Sequence, residues 1–358
     1  MTKRIGAVAL ALAVLPTALL AGDGFIDRTG AIVIEPRFDE ALQFSGGLAA
    51  VRVGKKWGFI DAKGLLQIAP QFDEAYSFHD GLARVRAGAW GFVDTAGQLV
   101  VPAKFSYALD FSEGLAAVVV GEKTGYIDRT GKMVIEPQFF EAHEFSGGLA
   151  VVRVEKERRI DAHTVEIGVA RYIDTTGKPA FAAELRYASA FSEGLAFVQR
   201  LDESPAYIDT TGKVAIERKG WAHQFSDPIG LEGASFHEGL ALTDTKTGFV
   251  HVPAWAFMDT KGAIVMPMPF ARAFPFSEGL AMVMTGKLKM RYGFVDKTGK
   301  LVIQAKFRSA WPFSQGLAPV MTDKKWGFVD TTGRMVIEEK FDAAYPFSEG
   351  LARVIVGR

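Results

Sequence analysis

The sequence repeats one pattern along nearly its whole length of 358 residues. The stretch "GFIDRTGAIVIEPRFDEALQFSGGLAAV" (24–51) returns as "GFIDAKGLLQIAPQFDEAYSFHDGLARV" (58–85) and as "GFVDTAGQLVVPAKFSYALDFSEGLAAV" (91–118). A period of about 34 residues is typical of small units that stack on their neighbours. Because no linker or change of composition separates the units, we expect a single repeat domain over residues 22–358. Its nine predicted units begin near residues 24, 58, 91, 125, 171, 206, 256, 293 and 327.

Each unit contains several short stretches with the pattern of β-strands. In the second unit these are "KWGFID" (56–61), "LLQIAPQF" (65–72) and "LARVRAG" (82–88). Pro70 has no N–H to donate, so its strand is expected near the edge or end of a sheet. Glycine-containing turns and corners separate the strands, and an apolar period of 3.6 residues never persists long enough for a helix. The fold is therefore predicted to be all-β.

An aspartate ends the first of these strands and is the one acidic residue that every unit shares. In "DAKG" (61–64) its carboxylate can accept hydrogen bonds from N–H groups two or more residues ahead, while the glycine takes a positive φ. A metal ligand or general base is the alternative, but one carboxylate per unit provides no paired carboxylates. We predict that these residues cap turns: Asp27, Asp61, Asp94, Asp128, Asp174, Asp209, Asp259, Asp296 and Asp330.

Phenylalanine, present 28 times, recurs in fixed slots of the unit, such as those of Phe59, Phe72 and Phe78. A slot that is filled in unit after unit is expected in a stacked core, where burying each ring contributes about 1.5–3 kcal/mol. An aromatic ladder that binds sugars or bases is the alternative interpretation.

The stretches "KWGFID" (56–61) and "KWGFVD" (325–330), the glycine of the following turn, and "FSEGLA" at 111–116 and 347–352 resemble the WG repeat, also called the KWG repeat. The resemblance covers nearly the whole chain after residue 21. It implies a β-repeat architecture in bacterial, often secreted or surface-associated proteins, and no common enzymatic activity. The middle units depart most from the motif, because a residue other than glycine precedes Tyr172, Tyr207 and Phe257.

Three or four short strands per unit fit two architectures, a closed propeller-like toroid and an open β-solenoid or superhelix. The repeats begin within the "GFID" strand and end with "GLARVIVGR" (350–358), the strand that precedes "GFID" in other units. Pairing of the last strand with the first would remove exposed edges, which favours the toroid. Nine blades is more than the usual four to eight or so, and for this reason the open form stays as the alternative.

Residues 1–21 differ from the repeats. A basic start precedes an apolar run from Ile5 to Leu20, which contains Pro16 and is short for a membrane-spanning helix. These features predict a Sec-type signal peptide cleaved near Ala21, and hence a periplasmic or secreted mature protein without a transmembrane segment. The chain contains no cysteine, so disulfides, thiolate metal sites and lipoprotein attachment are excluded.

Charge and motif content indicate no catalytic chemistry. Basic and acidic residues number 41 each, which leaves no basic surplus for nucleic acid. The sequence has no signature of a zinc protease, serine hydrolase, phosphate-binding loop or dinucleotide site. His79 and His237 replace the serine of the "FSEG" corner, and His143 and His223 share another slot, so we interpret all four as repeat variants. We therefore predict no enzymatic activity, no cofactor and no metal site.

Length variation is greatest in the turn before the "GFID" strand. This turn is short in "VGKKW" (53–57) and expanded in residues 155–174, 243–259 and 285–296. Because the expansions share one position in the unit, we expect them on one rim, where the binding loops of repeat proteins often lie. The contact residues that we predict for this rim are Glu157, Arg158, Arg159, Trp255, Met290 and Tyr292.

Together these features predict a non-catalytic, extracytoplasmic binding or scaffold protein that presents the rim to a protein or another cell-envelope component. Two alternatives stay open at this point. One is an envelope enzyme that acts on glycan or peptide in a central pocket, and the other is a purely structural envelope component.

Overall fold

The computed structural model describes residues 21–155, 158–159, 165–166, 168–218, 234–244, 255–268, 270–286 and 289–357. Within these ranges the fold is all-β, as the sequence predicted, and consists of small antiparallel sheets. No helix in the described residues is long and apolar enough to cross a membrane. The predicted signal peptide falls on residues 1–20, outside the described part, and on Ala21.

Five four-stranded sheets are each formed by strands that are consecutive in the chain. They contain β3 (Glu40–Ala41), β4 (Ala49–Val53), β5 (Lys56–Ile60) and β6 (Leu66–Phe72); β7 (Glu74–His79), β8 (Leu82–Ala87), β9 (Ala89–Asp94) and β10 (Leu99–Phe105); β11 (Tyr107–Ala108), β12 (Leu115–Val120), β13 (Lys123–Asp128) and β14 (Met133–Phe139); β27 (Arg272–Ser277), β28 (Leu280–Thr285), β29 (Arg291–Asp296) and β30 (Leu301–Phe307); and β31 (Ser309–Ala310), β32 (Leu317–Met321), β33 (Trp326–Asp330) and β34 (Met335–Phe341).

A sixth four-stranded sheet contains strands from both ends of the repeat region. Its order is β2 (Ile32–Phe38), β1 (Gly22–Ile26), β36 (Leu351–Val356) and β35 (Ala343–Ser348). β1 and β36 are antiparallel, with Gly22 opposite Val356 and Ile26 opposite Ala352. The last strand of the chain thus completes a sheet with the first.

The middle of the chain is less regular. A seven-stranded sheet is followed by a three-stranded one, and a separate two-stranded hairpin lies within the first of the expanded turns. These sheets contain β15 (Glu141–Ala142), β16 (Leu149–Arg153), β19 (Ala170–Asp174), β20 (Leu185–Ala188), β21 (Leu195–Arg200), β22 (Pro205–Asp209) and β23 (Val214–Glu217); β24 (Leu240–Asp244), β25 (Trp255–Asp259) and β26 (Ile264–Met268); and the hairpin β17 (Arg158–Arg159) and β18 (Val165–Glu166).

One recurring pair of aromatic rings lies within each repeat and, in the regular repeats, joins one sheet to the next. Phe59 of β5 contacts Phe78 at the corner of the next sheet, with ring centroids 5.0 Å apart. Both side chains are buried, so these slots build the core and do not present rings to a ligand. The equivalent pairs are Phe25–Phe44, Phe92–Phe111, Tyr126–Phe145, Tyr172–Phe191, Tyr207–Phe236, Phe257–Phe276, Phe294–Phe313 and Phe328–Phe347.

Polar bonds join the corners. The Ser112 hydroxyl donates to the Phe145 carbonyl at 2.7 Å, and the Glu113 carboxylate accepts from the N–H groups of Gly147 and Gly148. Glu113 reaches them from a left-handed conformation, with φ of 52°.

The same bonds connect the last corner to the first. Ser348 donates to the Phe44 carbonyl at 2.7 Å, and Glu349 accepts from Gly46 and Gly47 at 2.8 and 3.0 Å.

The glycine of the "WG" pair is required by a bulge in the neighbouring strand. Trp57 lies opposite Phe72 and Phe59 opposite Ile68, so β6 carries extra residues opposite Gly58. A Cβ atom on Gly58 would lie 2.5 Å from the Ile68 carbonyl oxygen.

Two middle strands that lack this glycine also lack the bulge. Ala206 and Tyr207 pair with Glu217 and Ile216 without a shift of register, and Ala256 and Phe257 pair with Pro267 and Met266 in the same way. The departures from the motif are therefore matched by a change in the paired strand.

Candidate functional site

The nine repeated aspartates lie in turns, one per repeat. Asp61 Oδ1 accepts hydrogen bonds from the N–H groups of Lys63 and Leu65, both at 2.9 Å, and Gly64 has φ of 77°. These bonds, the one from Leu65 first, lower the pKa of the Asp61 carboxyl. No group of three or more acidic or histidine side chains among the described residues could hold a metal ion. The same two bonds form at Asp27, Asp94, Asp128, Asp174, Asp209, Asp259, Asp296 and Asp330.

The three expanded turns occupy equivalent connections. They join β16 to β19, β24 to β25, and β28 to β29, which are the antiparallel pairs that correspond to β4 and β5 of a regular sheet. Equivalent connections of stacked units lie at the same end of their sheets.

The structure describes the side chains of only two of the six predicted rim residues, Met290 and Tyr292. Glu157 lies outside the described residues, as do the side chains of Arg158, Arg159 and Trp255, whose backbones lie in β17 and β25. Met290 is 50% exposed. Tyr292 is only partly exposed, since its ring packs near Phe274 with centroids 6.4 Å apart.

A second variable position lies just before each corner. In β7, Ala75 lies opposite Val85 and Phe78 opposite Ala83, so Tyr76 and Ser77 bulge from the strand. We call the one or two residues between this alanine and the corner phenylalanine the bulge slot. Bulges often re-aim side chains beside functional sites. The described bulge slots are Leu42–Gln43, Tyr76–Ser77, Leu109–Asp110, His143–Glu144, Ser189–Ala190, Ser235, Phe274–Pro275, Trp311–Pro312 and Tyr345–Pro346.

Aromatic bulge slots are associated with two clamped arginines. The Arg84 guanidinium lies 4.0 Å from the Tyr76 ring centroid and its Nε lies 3.1 Å from the Asp110 carboxylate. Arg353 lies 3.7 Å from the Tyr345 ring and pairs with the buried Asp23 at 3.5 Å. Arg84 also donates to the Ala108 carbonyl of the following repeat, and Arg353 donates to the Ala41 carbonyl of the first repeat.

Small and polar bulge slots instead border a cavity of about 520 Å³. The lining combines apolar side chains with a few polar groups, as in many small-molecule sites. The lining residues are Leu109, Glu141, His143, Glu144, Val151, Arg153, Ala170, Tyr187, Ala188, Ser189, Ala190 and Ser235.

The cavity carries one carboxylate without an ion-pair partner. Glu141 is neutralised by Arg153 at 2.9 Å, whereas Glu144 forms no ion pair within the described ranges. Burial raises the pKa of Glu144, and the nearby charge of Asp110 adds to this rise. The His143 side chain is exposed on the cavity wall. The surrounding protein nevertheless removes part of the water around its imidazole, and this desolvation lowers the pKa of His143.

Eight segments of the chain match the sequence profile of the WG containing repeat: residues 24–57, 57–88, 90–123, 125–157, 171–202, 255–288, 292–326 and 326–357. The protein belongs to the WG-repeat family. The resemblance seen in the sequence is thereby confirmed.

Residues 203–254 separate two of the matches, yet their described part, residues 203–218 and 234–244, contains WG-type geometry. Gly212 donates to the Asp209 carbonyl at 2.9 Å in the usual turn, and the Phe236 carbonyl accepts from Ser192 at 2.6 Å.

Solved structures resemble this WG-repeat chain at low sequence identity, and no curated protein sequence matches it. A eukaryotic initiation factor is 15% identical, with coverage of 89% of this chain and 96% of that chain and a TM-score of 0.58. This similarity concerns the fold alone. BamB from Moraxella catarrhalis (11% identity, coverage 98% and 96%) and Hsv2p from Kluyveromyces lactis (11% identity, coverage 81% and 91%) both give a TM-score of 0.36.

One sequence feature marks the repeats that surround the cavity. The phenylalanine of the WG strand is replaced by tyrosine in three successive repeats, at Tyr126, Tyr172 and Tyr207. Their buried hydroxyls donate to the carbonyls of His143, Ser189 and Ala234 at 2.6–2.8 Å. Burial raises the pKa of all three phenols. These bonds hold the backbone at, or directly before, the bulge slots that border the cavity.

Proposed function

We propose that this WG-repeat protein is a non-catalytic binding or scaffold module of the cell envelope. It acts outside the cytoplasm and presents its rim of variable turns to a protein partner. The observation that carries this proposal is the topological equivalence of the three expanded turns, because insertions at the same connection of different repeats place their variable loops at one end of the sheets.

The scaffold of this module is proposed to be a closed, propeller-like ring of nine units. Pairing of β1 with β36 supports closure, as do the hydrogen bonds of Ser348 and Glu349 to the first corner. The nine aromatic pairs support the count, since one pair belongs to each proposed unit. In such a ring, equivalent connections lie on one face.

An extracytoplasmic location is supported by the amino-terminal segment. The apolar run ends at Leu20, and β1 begins at Gly22, directly after the proposed cleavage site at Ala21. Removal of residues 1–21 would leave every strand of the fold intact.

Shortening the rim tests the proposed function. Residues 154–169, 245–254 and 286–290 are each replaced by the short turn "GKK", and the tagged chain is used to capture proteins from an envelope fraction at native salt. Mass spectrometry quantifies each co-purified protein. We expect the melting temperature to change little, because the unexpanded strand pairs of the regular sheets close with turns of one to four residues, and we expect the specific partner to be lost.

A matched control replaces the regular turn Gly121–Glu122 with the residues of another regular turn, Gly54–Lys55. This variant should capture the same partner as the unmodified chain. Unchanged capture after all three rim turns are shortened would show that the partner binds elsewhere.

A further inference from the structure

We propose that the cavity between the middle repeats binds an alkylammonium group, a primary amine carried on an apolar chain. This site borders the first expanded turn, which Arg153 and Ala170 flank, but it does not depend on the protein partner proposed for the rim. The proposal rests on the space at the bulge slots and on the charge balance of the cavity wall.

The space arises from small residues in a slot that other repeats fill. Phe274, Trp311 and Tyr345 place aromatic rings at this position, and a proline follows each ring. The repeats that border the cavity have Ser189–Ala190 and the shortened slot at Ser235 instead. The missing side-chain volume leaves a cavity of about 520 Å³, within the range of roughly 300–1,000 Å³ typical of ligand sites.

The charge of the cavity favours a cation. The guanidinium of Arg153 is engaged by Glu141 and by the Gly168 carbonyl, so this pair is neutral. Arg84 is likewise engaged by Asp110, which lies next to Glu144. The Glu144 carboxylate accepts a hydrogen bond from the Asp110 backbone and lies near the charges of Arg84 and His79, but it has no ion-pair partner within the described ranges. A bound ammonium group would supply that partner.

The remaining lining suits an apolar chain. Leu109, Val151, Ala170, Ala188 and Ala190 offer methyl and methylene surface without further charge. An alkyl chain would therefore contact these residues while its ammonium group pairs with Glu144. A carboxylate ligand would instead meet the uncompensated charge and be repelled.

Titration calorimetry with n-pentylamine at neutral pH tests the proposal on the mature chain, residues 22–358. We expect saturable binding of n-pentylamine, binding of n-pentanol at least about tenfold weaker, and no binding of n-pentanoate. Equal affinity for the amine and the alcohol, or no saturable binding of the amine, would overturn the proposal.

Two variants locate the site. Glu144→Gln should weaken n-pentylamine binding by at least about tenfold without lowering the melting temperature. Ala190→Phe should abolish binding by filling the cavity, as Trp311 fills its own slot. The control Glu122→Gln changes an exposed glutamate in a regular turn and should leave affinity unchanged. Affinity that is unchanged in Glu144→Gln would place the amine elsewhere and refute the assignment.

The same ammonium chemistry can come from a free amine or from a lysine side chain of a protein. A peptide with one lysine between alanines and with blocked ends distinguishes the two sources. Binding of this peptide in competition with n-pentylamine indicates a protein lysine, whereas binding of the free amine alone indicates a small metabolite. Neither result affects the rim, which is tested separately by capture.

Discussion

The regular repeats and the middle segment, residues 141–268, have the same core but differ at three positions. In the regular repeats glycine faces a bulged strand, the hairpin turns are mostly short, and many bulge slots hold an aromatic ring. In the middle segment Ala206 and Ala256 replace that glycine, two of the three expanded turns occur, and small bulge slots border the cavity. The aromatic core pairs Tyr172–Phe191 and Phe257–Phe276 are nonetheless kept.

This difference shows which parts of the repeat hold the fold together. The aromatic pairs, the aspartate turns and the corner bonds occur in both regions, so they suffice to stack the sheets. The "WG" glycine, the turn length and the bulge slot can change without loss of that stacking. Ligand and partner sites are expected where the changes coincide, in the middle segment and on its rim.

The largest effect is expected from placing a side chain where the strand bulges. Gly58→Ala directs a Cβ atom to 2.5 Å from the Ile68 carbonyl oxygen. It should lower the free energy of unfolding by about 3 kcal/mol, at the upper end of overpacking costs. The reverse change in the middle segment, Ala206→Gly, should cost only about 0.5–1 kcal/mol through backbone entropy. Urea titration of both variants measures the difference, and similar costs at the two sites would remove this distinction.

A smaller effect is expected at the tyrosines of the middle repeats. Tyr172→Phe removes the hydroxyl that donates to the Ser189 carbonyl at 2.6 Å. The buried carbonyl then lacks this donor, which should cost about 1 kcal/mol in unfolding free energy. The exposed Tyr107→Phe serves as the control and should change stability by less than about 0.5 kcal/mol. Equal effects of the two changes would show that the Tyr172 hydroxyl does not hold the bulge slot.

The smallest effect is a pH dependence of the free energy of unfolding, which has opposite signs for the turn aspartates and for Glu144. Hydrogen bonds lower the pKa of turn aspartates such as Asp128, with that from Thr130 the largest. Their stabilisation is present above the unfolded-state pKa and is lost as pH falls through the folded-state value. Glu144 behaves oppositely, because its raised pKa means that the folded protein loses stability as pH rises from the unfolded-state pKa through the folded-state value.

Comparison with Glu144→Gln isolates this second dependence. The variant should gain stability relative to the unmodified chain as pH rises through that window, by a small amount because Glu144 is partly solvated. Asp110, His79 and Arg84, which also act on Glu144, are present in both proteins. Parallel stability curves for the two proteins would show that Glu144 is not desolvated.

Much of the fold could be predicted from the sequence because the repeat shows each slot many times. The recurrence of Phe59 and Phe78 indicated the stacked core, and the alternation around them indicated strands. The cavity could not be predicted, because it results from what is missing at Ser189, Ala190 and Ser235. The charge of its polar wall also depends on which carboxylates form ion pairs with arginines. Some of these pairs join neighbouring repeats, so the sequence of a single repeat does not predict them.

Hydrogen exchange followed by mass spectrometry tests most directly whether the divergent part of the molecule is the binding region. Exchange is measured for residues 22–358 alone and after addition of the partner captured from the envelope fraction. Slower exchange should be concentrated in peptides from residues 141–190 and 240–292, with little change in residues 24–105 and 300–357. Protection confined to those regular segments, with none in the middle segment or its rim, would contradict the division between fold-forming and binding repeats.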